Sequence, residues 1–146
     1  MRCCGWKGVA ASVLVLALIQ GCSIKQNVEP VGQVPEKEVC IIENPDVKRG
    51  FLEAYQQALR GRSCEPRVLP VGSGLASCPT VSTYEARWSW DLAVYMVYAR
   101  IEVYQDAVSV GEATYDATAG GGRMDKFINA GEKVNELVSQ LYPICR

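Results

Sequence analysis

Bond-breaking at neutral pH usually needs a base beside a nucleophile, and the commonest base is missing here: none of the 146 residues is histidine. Ser-His and Cys-His schemes are thereby excluded. Acid–base work would fall to carboxylates, with Glu85, Asp91, Glu102, Glu112 and Asp116 as candidates for the paired action that cleaves glycosidic bonds. The other reactive set is seven cysteines, at positions 3, 4, 22, 40, 64, 78 and 145. A zinc site would call for Cys-x-x-Cys pairs or imidazoles, and the sequence has neither, so no metal is expected. Gly120-Gly121-Gly122 lacks the Gly-Lys-Ser/Thr continuation and the dinucleotide fingerprint, and reads as a flexible connection rather than a phosphate loop.

The cysteines sort by fate once the first residues are considered. Arg2 and Lys7 make a positive start, Val9 to Ile19 an uncharged apolar run, and Leu18-Ile19-Gln20-Gly21-Cys22 closes it. The run is shorter than the roughly 20 apolar residues of a membrane-spanning helix and has the length of a signal-peptide core. Its end resembles the lipobox of bacterial lipoproteins, in which a small residue admits the backbone to the peptidase and the following thiol receives diacylglycerol. The resemblance implies cleavage between Gly21 and Cys22, with diacylglycerol and an N-acyl chain on Cys22 as the only covalent additions and no cofactor. Two or three acyl chains hold a protein stably to a membrane where one holds it marginally. Ser23 after the lipidated residue implies export to the outer membrane, with the domain on the periplasmic face; the inner membrane is the alternative.

Loss of residues 1–21 removes Arg2 and Lys7, leaving 13 basic residues against 16 acidic ones. The basic residues are dispersed among acids, and Arg60-Gly61-Arg62 suits a helix end, so no nucleic-acid partner is expected. Cys40, Cys64, Cys78 and Cys145 remain, an even number that predicts two disulfides in an exported domain, with three possible connectivities.

These residues must be positioned by a single domain. Residues 22–37 are polar with two prolines and read as a lipidated, flexible tether; residues 38–146 read as one α+β domain. Val39-Cys40-Ile41-Ile42 is strand-like, and Asn44-Pro45-Asp46 has the chemistry of a helix start. Val47, Phe51, Tyr55 and Leu59 then recur every fourth residue, with Gly61 as a stop. Arg67 to Val71 is a second strand, Thr80 to Thr118 a β-meander, and a last helix begins at Asn129 with Val134, Leu137, Val138 and Leu141 as its buried stripe. The order β-α-β-β-β-β-α predicts a two-layer sandwich, a mostly antiparallel sheet with both helices on one face.

In the meander, Ala93, Tyr95, Val97, Ala99, Ile101 and Val103 alternate as an apolar face. A three-residue loop at Gln105-Asp106-Ala107 would oppose Ile101 to Gly111, Ala99 to Ala113 and Arg100 to Glu112; upstream, Trp88 would meet Ala93, Ala86 would meet Tyr95 and Tyr84 would meet Val97. A meander entered directly from the second strand puts Cys40 and Cys64 at one end of the sheet and Cys78 and Cys145 at the other, predicting bridges 40–64 and 78–145. On the outer face, Val94, Met96, Tyr98 and Tyr104 form an apolar strip rimmed by charges, Arg100 and Glu112 among them, the usual appearance of a contact surface for another protein.

Trp88-Ser89-Trp90-Asp91, Tyr95-Met96, Tyr98-Ala99, Tyr104-Gln105-Asp106, Gly111-Glu112-Ala113, Tyr115-Asp116 and Lys126-Phe127 also resemble a group of small Gram-negative lipoproteins of unknown function. The resemblance implies a signal, a lipobox and one small α+β domain, and brings no activity with it. Ala107 departs from the Asp-Gly turn expected of the group. The resulting expectation is a non-enzymatic envelope lipoprotein that binds another envelope protein or a cell-wall component; the alternative is a small-ligand or hydrolytic domain using the outer-face carboxylates.

Overall fold

Ile41, Tyr84, Ile101 and Tyr115 come from four different strands and share one core with the buried stripes of two helices. The computed structural model describes residues 24–119 and 129–146; the predicted signal with Gly21 and Cys22, then Ser23, the Gly120 to Gly122 run and Lys126-Phe127 lie outside the described residues. The strands are β1 (Lys25–Glu29), β2 (Glu38–Ile42), β3 (Glu65–Leu69), β4 (Thr80–Asp91), β5 (Ala93–Gln105) and β6 (Val108–Asp116), and the helices α1 (Arg49–Gly61) and α2 (Ala130–Leu141). They form one open sheet in the order β1-β6-β5-β4-β2-β3, antiparallel except where β2 runs parallel to both β3 and β4. This is the expected α+β class, with the expected element order preceded by one further strand. Phe51, Tyr55, Ala58 and Leu59 of α1 and Val134, Leu137, Val138 and Leu141 of α2 belong to the same buried cluster as Val39, Ile41, Ala99, Val103 and Ala113.

The extra strand corrects the reading of residues 22–37 as a tether. Lys25–Glu29 pairs with β6, although four of its five residues are exposed. An edge strand can be held by backbone hydrogen bonds and needs no apolar period, which is why its sequence looked unstructured. Val31 follows into the core, where its amide donates to the Leu141 carbonyl at 2.8 Å. Gly111 makes this passage possible: a Cβ there would lie 2.7 Å from Val31 Cγ2 and 3.0 Å from the Glu29 oxygen. On the helix side, Lys133 Nζ donates to Gln26 Oε1 at 3.1 Å and to Glu136 Oε2 at 2.6 Å.

Helix α1 begins at Arg49 rather than at Asn44, and Lys48 at its N-cap makes no side-chain cap. Asn44 is used otherwise. Its Oδ1 accepts from the Asp46 amide, its Nδ2 donates to the Tyr84 carbonyl, and its own amide donates to Tyr84 Oη, so the residue fastens the β2–α1 loop to β4. The left-handed residue after α1 is Ser63 (φ 62) rather than Gly61. Helix α2 starts as expected, with Asn129 Oδ1 accepting from the Gly131 and Glu132 amides.

The inner face of the meander carries the expected residues over most of its length, but their pairing differs. Ile101 opposes Ala113, Ala99 opposes Tyr115 and Val103 opposes Gly111, while Arg100 opposes Thr114 and Glu102 opposes Glu112. The turn has two residues, Asp106 and Ala107, both with positive φ (51 and 62). A two-residue turn alone would have put carboxylates in the core; the register shift between Val103 and Tyr104, which leaves Val110 unopposed, restores the apolar face. Upstream, Tyr84 opposes Ile101 and Ala86 opposes Ala99, because β4 and β5 run on to a tight bend at Leu92.

The predicted disulfide pairing is also overturned: the bridges join Cys40 to Cys78 and Cys64 to Cys145. Two features account for this. Strand β2 lies between β3 and β4 and parallel to both, so the β3–β4 connection crosses over and brings Cys78 back to the end of the sheet where β3 began. Within β2, Cys40 points away from Val39 and Ile41 and packs with Cys78 and Val81, whereas Cys64 and Cys145 belong to the helix-side cluster. That side also holds a closed hydroxyl chain, Ser82 Oγ to Tyr55 Oη at 2.6 Å and Tyr55 Oη to Tyr142 Oη at 2.7 Å.

Candidate functional site

The face of the sheet opposite the helices is where the sequence placed a contact strip, and β5 with β6 dictates what reaches it. Alternation puts Tyr98, Arg100, Glu102 and Tyr104 of β5 there, with Glu112 and Thr114 of β6 beside them. Glu102 and Glu112 would repel across the strand pair, and Arg100 resolves this: its Nη2 lies 3.1 Å from Glu102 Oε1 and 2.8 Å from Glu112 Oε2, and Thr114 Oγ1 donates to Glu112 Oε1 at 2.8 Å. The hydrogen bond from Arg100 holds the Glu112 carboxyl below the usual range, and the bond to Glu112 raises the Arg100 guanidinium in return. Asp116 is also lowered, chiefly by the Thr118 hydroxyl and amide. A general acid requires the opposite displacement. Burial and the adjacent Glu102 raise the Tyr104 phenol, and the Arg87 guanidinium stacks 4.4 Å over the Tyr98 ring.

Two members of the predicted strip are not part of this surface. Arg87 opposes Tyr98 but Trp88 opposes Met96, so Val97 is an unopposed extra residue and the strand's faces exchange beyond it. Met96 consequently turns into the core, 3% exposed, and Val94 lies on that same side near the end of the hairpin. The structure thus brings together Tyr98, Tyr104, Arg100 and Glu112, and separates them from Val94 and Met96.

Beside the charged cluster is a groove of about 320 Å³ lined by Thr83, Tyr84, Glu85, Arg100 and Glu102 and by Ile42 to Asp46 of the β2–α1 loop. It exists because β2 pairs with β4 only at Cys40 and Ile41 before the two diverge, with Asn44 bridging the gap. Its rim, including Glu43, Pro45, Asp46 and Val71, is exposed. The sequence reading did not include this loop, since its Asn-Pro-Asp signal was assigned to a helix start.

Glu38, Cys40 and Cys78 bring potential ligand atoms within 4.8 Å of one another. The two sulfurs are bonded to each other and so offer no thiolate, and Arg67 Nη2 lies over them, 3.0 Å from Cys78 Sγ and 3.4 Å from Glu38 Oε1. A further feature that the sequence reading passed over is the tip of the β4–β5 hairpin, where Trp90, Leu92 and Val94 are 69%, 86% and 57% exposed. Among the described residues no helix is long and apolar enough to cross a membrane.

No protein-family model and no curated protein matches the chain. Among solved structures it is similar to two crystal forms of PelC from Paraburkholderia phytofirmans, both described as dodecamers. A point variant matches with a TM-score of 0.58 and 13% identity over 85% of this chain and 100% of that one. The other form matches with a TM-score of 0.52 and 13% identity over 82% of this chain and 95% of that one. At that identity the likeness is one of fold.

Proposed function

We propose that this chain is a lipid-anchored envelope lipoprotein, held by Cys22 to the periplasmic face of the outer membrane, whose domain has a non-enzymatic binding or structural role. The observation that carries the reading is the outer sheet face, where Arg100, Glu102, Glu112 and Thr114 are committed to one another across β5 and β6. Such a face suits contact with a macromolecule better than chemistry on a small one, because both carboxylates are already paired with Arg100 and Glu112 is held below its ordinary value. The alternative hydrolytic use of the same carboxylates finds less support for the same reason. Two disulfides are in keeping with an oxidising compartment. The dodecameric PelC structures support copies of this chain as one class of partner, alongside an envelope protein or cell-wall component.

The test is metabolic labelling with a fatty acid in cells making the natural chain or Cys22→Ser. Label is expected on the natural chain and absent from the variant; label that persists on Cys22→Ser overturns the anchoring. Cross-linking in the envelope followed by mass spectrometry then identifies what the domain touches.

A further inference from the structure

The β4–β5 hairpin outruns the rest of the sheet. Lys25 at the start of β1 pairs with Asp116, Asp116 with Tyr98, and Tyr98 with Arg87, so these four residues form one row. Among the described strands only β4 and β5 continue beyond that row, to the bend at Leu92. Five further residues of β5, at about 3.3 Å each, carry the tip roughly 15 Å past the row. The projecting end is apolar and costly to leave in water: Trp90 and Val94 oppose each other, and Leu92 between them is both the most exposed large apolar residue among the described residues and in a left-handed conformation (φ 63) that disfavours a branched side chain.

The chain enters the sheet at this same end. Strand β1 begins with Lys25 in the row, and only Ser23 and Ile24 separate it from Cys22, three residue steps that span at most about 10 Å of extended chain. We propose that the Trp90-Leu92-Val94 tip dips into the lipid surface to which Cys22 is attached, an inference that rests on the anchoring reading above. A leash of about 10 Å is shorter than a tip projecting about 15 Å. An anchored domain with its sheet upright therefore cannot stand clear of the membrane without the tip meeting it. Trp suits this depth, since its ring takes the apolar side and its N–H the headgroups. Lys25, Lys48 and Arg87 at this end face anionic headgroups favourably, while Asp91 and Asp116 limit the depth to the interface.

The experiment uses the full lipoprotein reconstituted in phosphatidylethanolamine–phosphatidylglycerol vesicles with brominated acyl chains. Trp88→Phe leaves Trp90 as the single tryptophan of the mature chain, because Trp6 departs with the signal. Trp90 emission is expected to be at least halved by the brominated lipid and protected from aqueous acrylamide, and Leu92→Asp with Val94→Asp is expected to reverse both effects. If Trp88→Phe does not fold, the natural chain against Trp90→Phe reads the same difference. Emission quenched by acrylamide and not by lipid overturns the inference, as does shielding from both, which would indicate a neighbouring copy over the tip. A mature chain whose mass lacks acyl lipid overturns the anchoring reading with it; an acylated chain with unquenched Trp90 overturns the tip contact alone.

Discussion

Arg100 stands between two carboxylates that face each other across β5 and β6, and this placement decides how the outer face responds to pH. Glu112, Asp116 and Glu136 are all held below their ordinary values, by Arg100, Thr118 and Lys133 respectively. A carboxylate lowered in the folded state contributes stability that is complete above its unfolded value and is lost as pH falls through the folded one. The Tyr55 and Tyr142 phenols carry the opposite sign. Burial raises both, Tyr142 to about 12, so their contribution is complete below the ordinary value near 10 and is lost as pH rises beyond it. The melting temperature should therefore be level between about pH 5 and 9 and fall on either side. Glu112→Gln should flatten the acid limb, leave the alkaline limb unchanged and cost no more than about 1 kcal/mol at pH 7, because the group is partly exposed to solvent. Thermal melts of both proteins across pH 3 to 11 check this; an acid limb identical in the two would remove Glu112 from the account.

At the scale of elements, two irregularities in the long antiparallel strands determine what lies in the core. The shift that leaves Val110 unopposed keeps Glu102 and Glu112 outside, and the one at Val97 carries Met96 inside. Met96→Ala should therefore destabilise the fold by about 2–5 kcal/mol, the cost of emptying a buried site, and chemical denaturation reads it directly. A loss below about 0.5 kcal/mol, typical of an exposed position, would return Met96 to the surface. The faces of Ala99, Ile101, Val103, Ala113 and Tyr115 were legible in the sequence because strict alternation survives there. The face of Met96 was not, because an inserted bulge residue reverses parity without any residue type marking where it occurs. Strand β1 was illegible for a different reason: its stability lies in backbone bonds to β6 and in Gly111, which leaves room for Val31.

For the whole molecule, the disulfides link parts that topology alone brings together. Cys64–Cys145 joins the end of α1 to the chain after α2 across a sequence separation of 81, and Cys40–Cys78 fastens β2 to the β3–β4 crossover across 38. Loss of the longer-range bridge in a Cys64→Ala, Cys145→Ala chain should cost about 2–5 kcal/mol. Equilibrium unfolding of that variant measures the loss, while non-reducing peptide mapping of the natural chain should yield the 40–78 and 64–145 peptides. A 40–64 peptide would contradict the parallel placement of β2 between β3 and β4.

By itself the sequence determined the α+β class, the order of elements from β2 onward, the buried stripes of α1 and α2, and which four cysteines are available for bridges. All of these follow from periodicity, capping and count, properties that neighbouring residues carry within their own segments. Only the tertiary structure decided the partner of each cysteine, the strand register, the inward turn of Met96, the recruitment of Lys25–Glu29 to the sheet, and the projection of Trp90, Leu92 and Val94 at the end where that strand begins. Each of these depends on which strands become neighbours and where a bulge falls, and pairing between distant segments is set by the packed sheet as a whole rather than by any one stretch of chain.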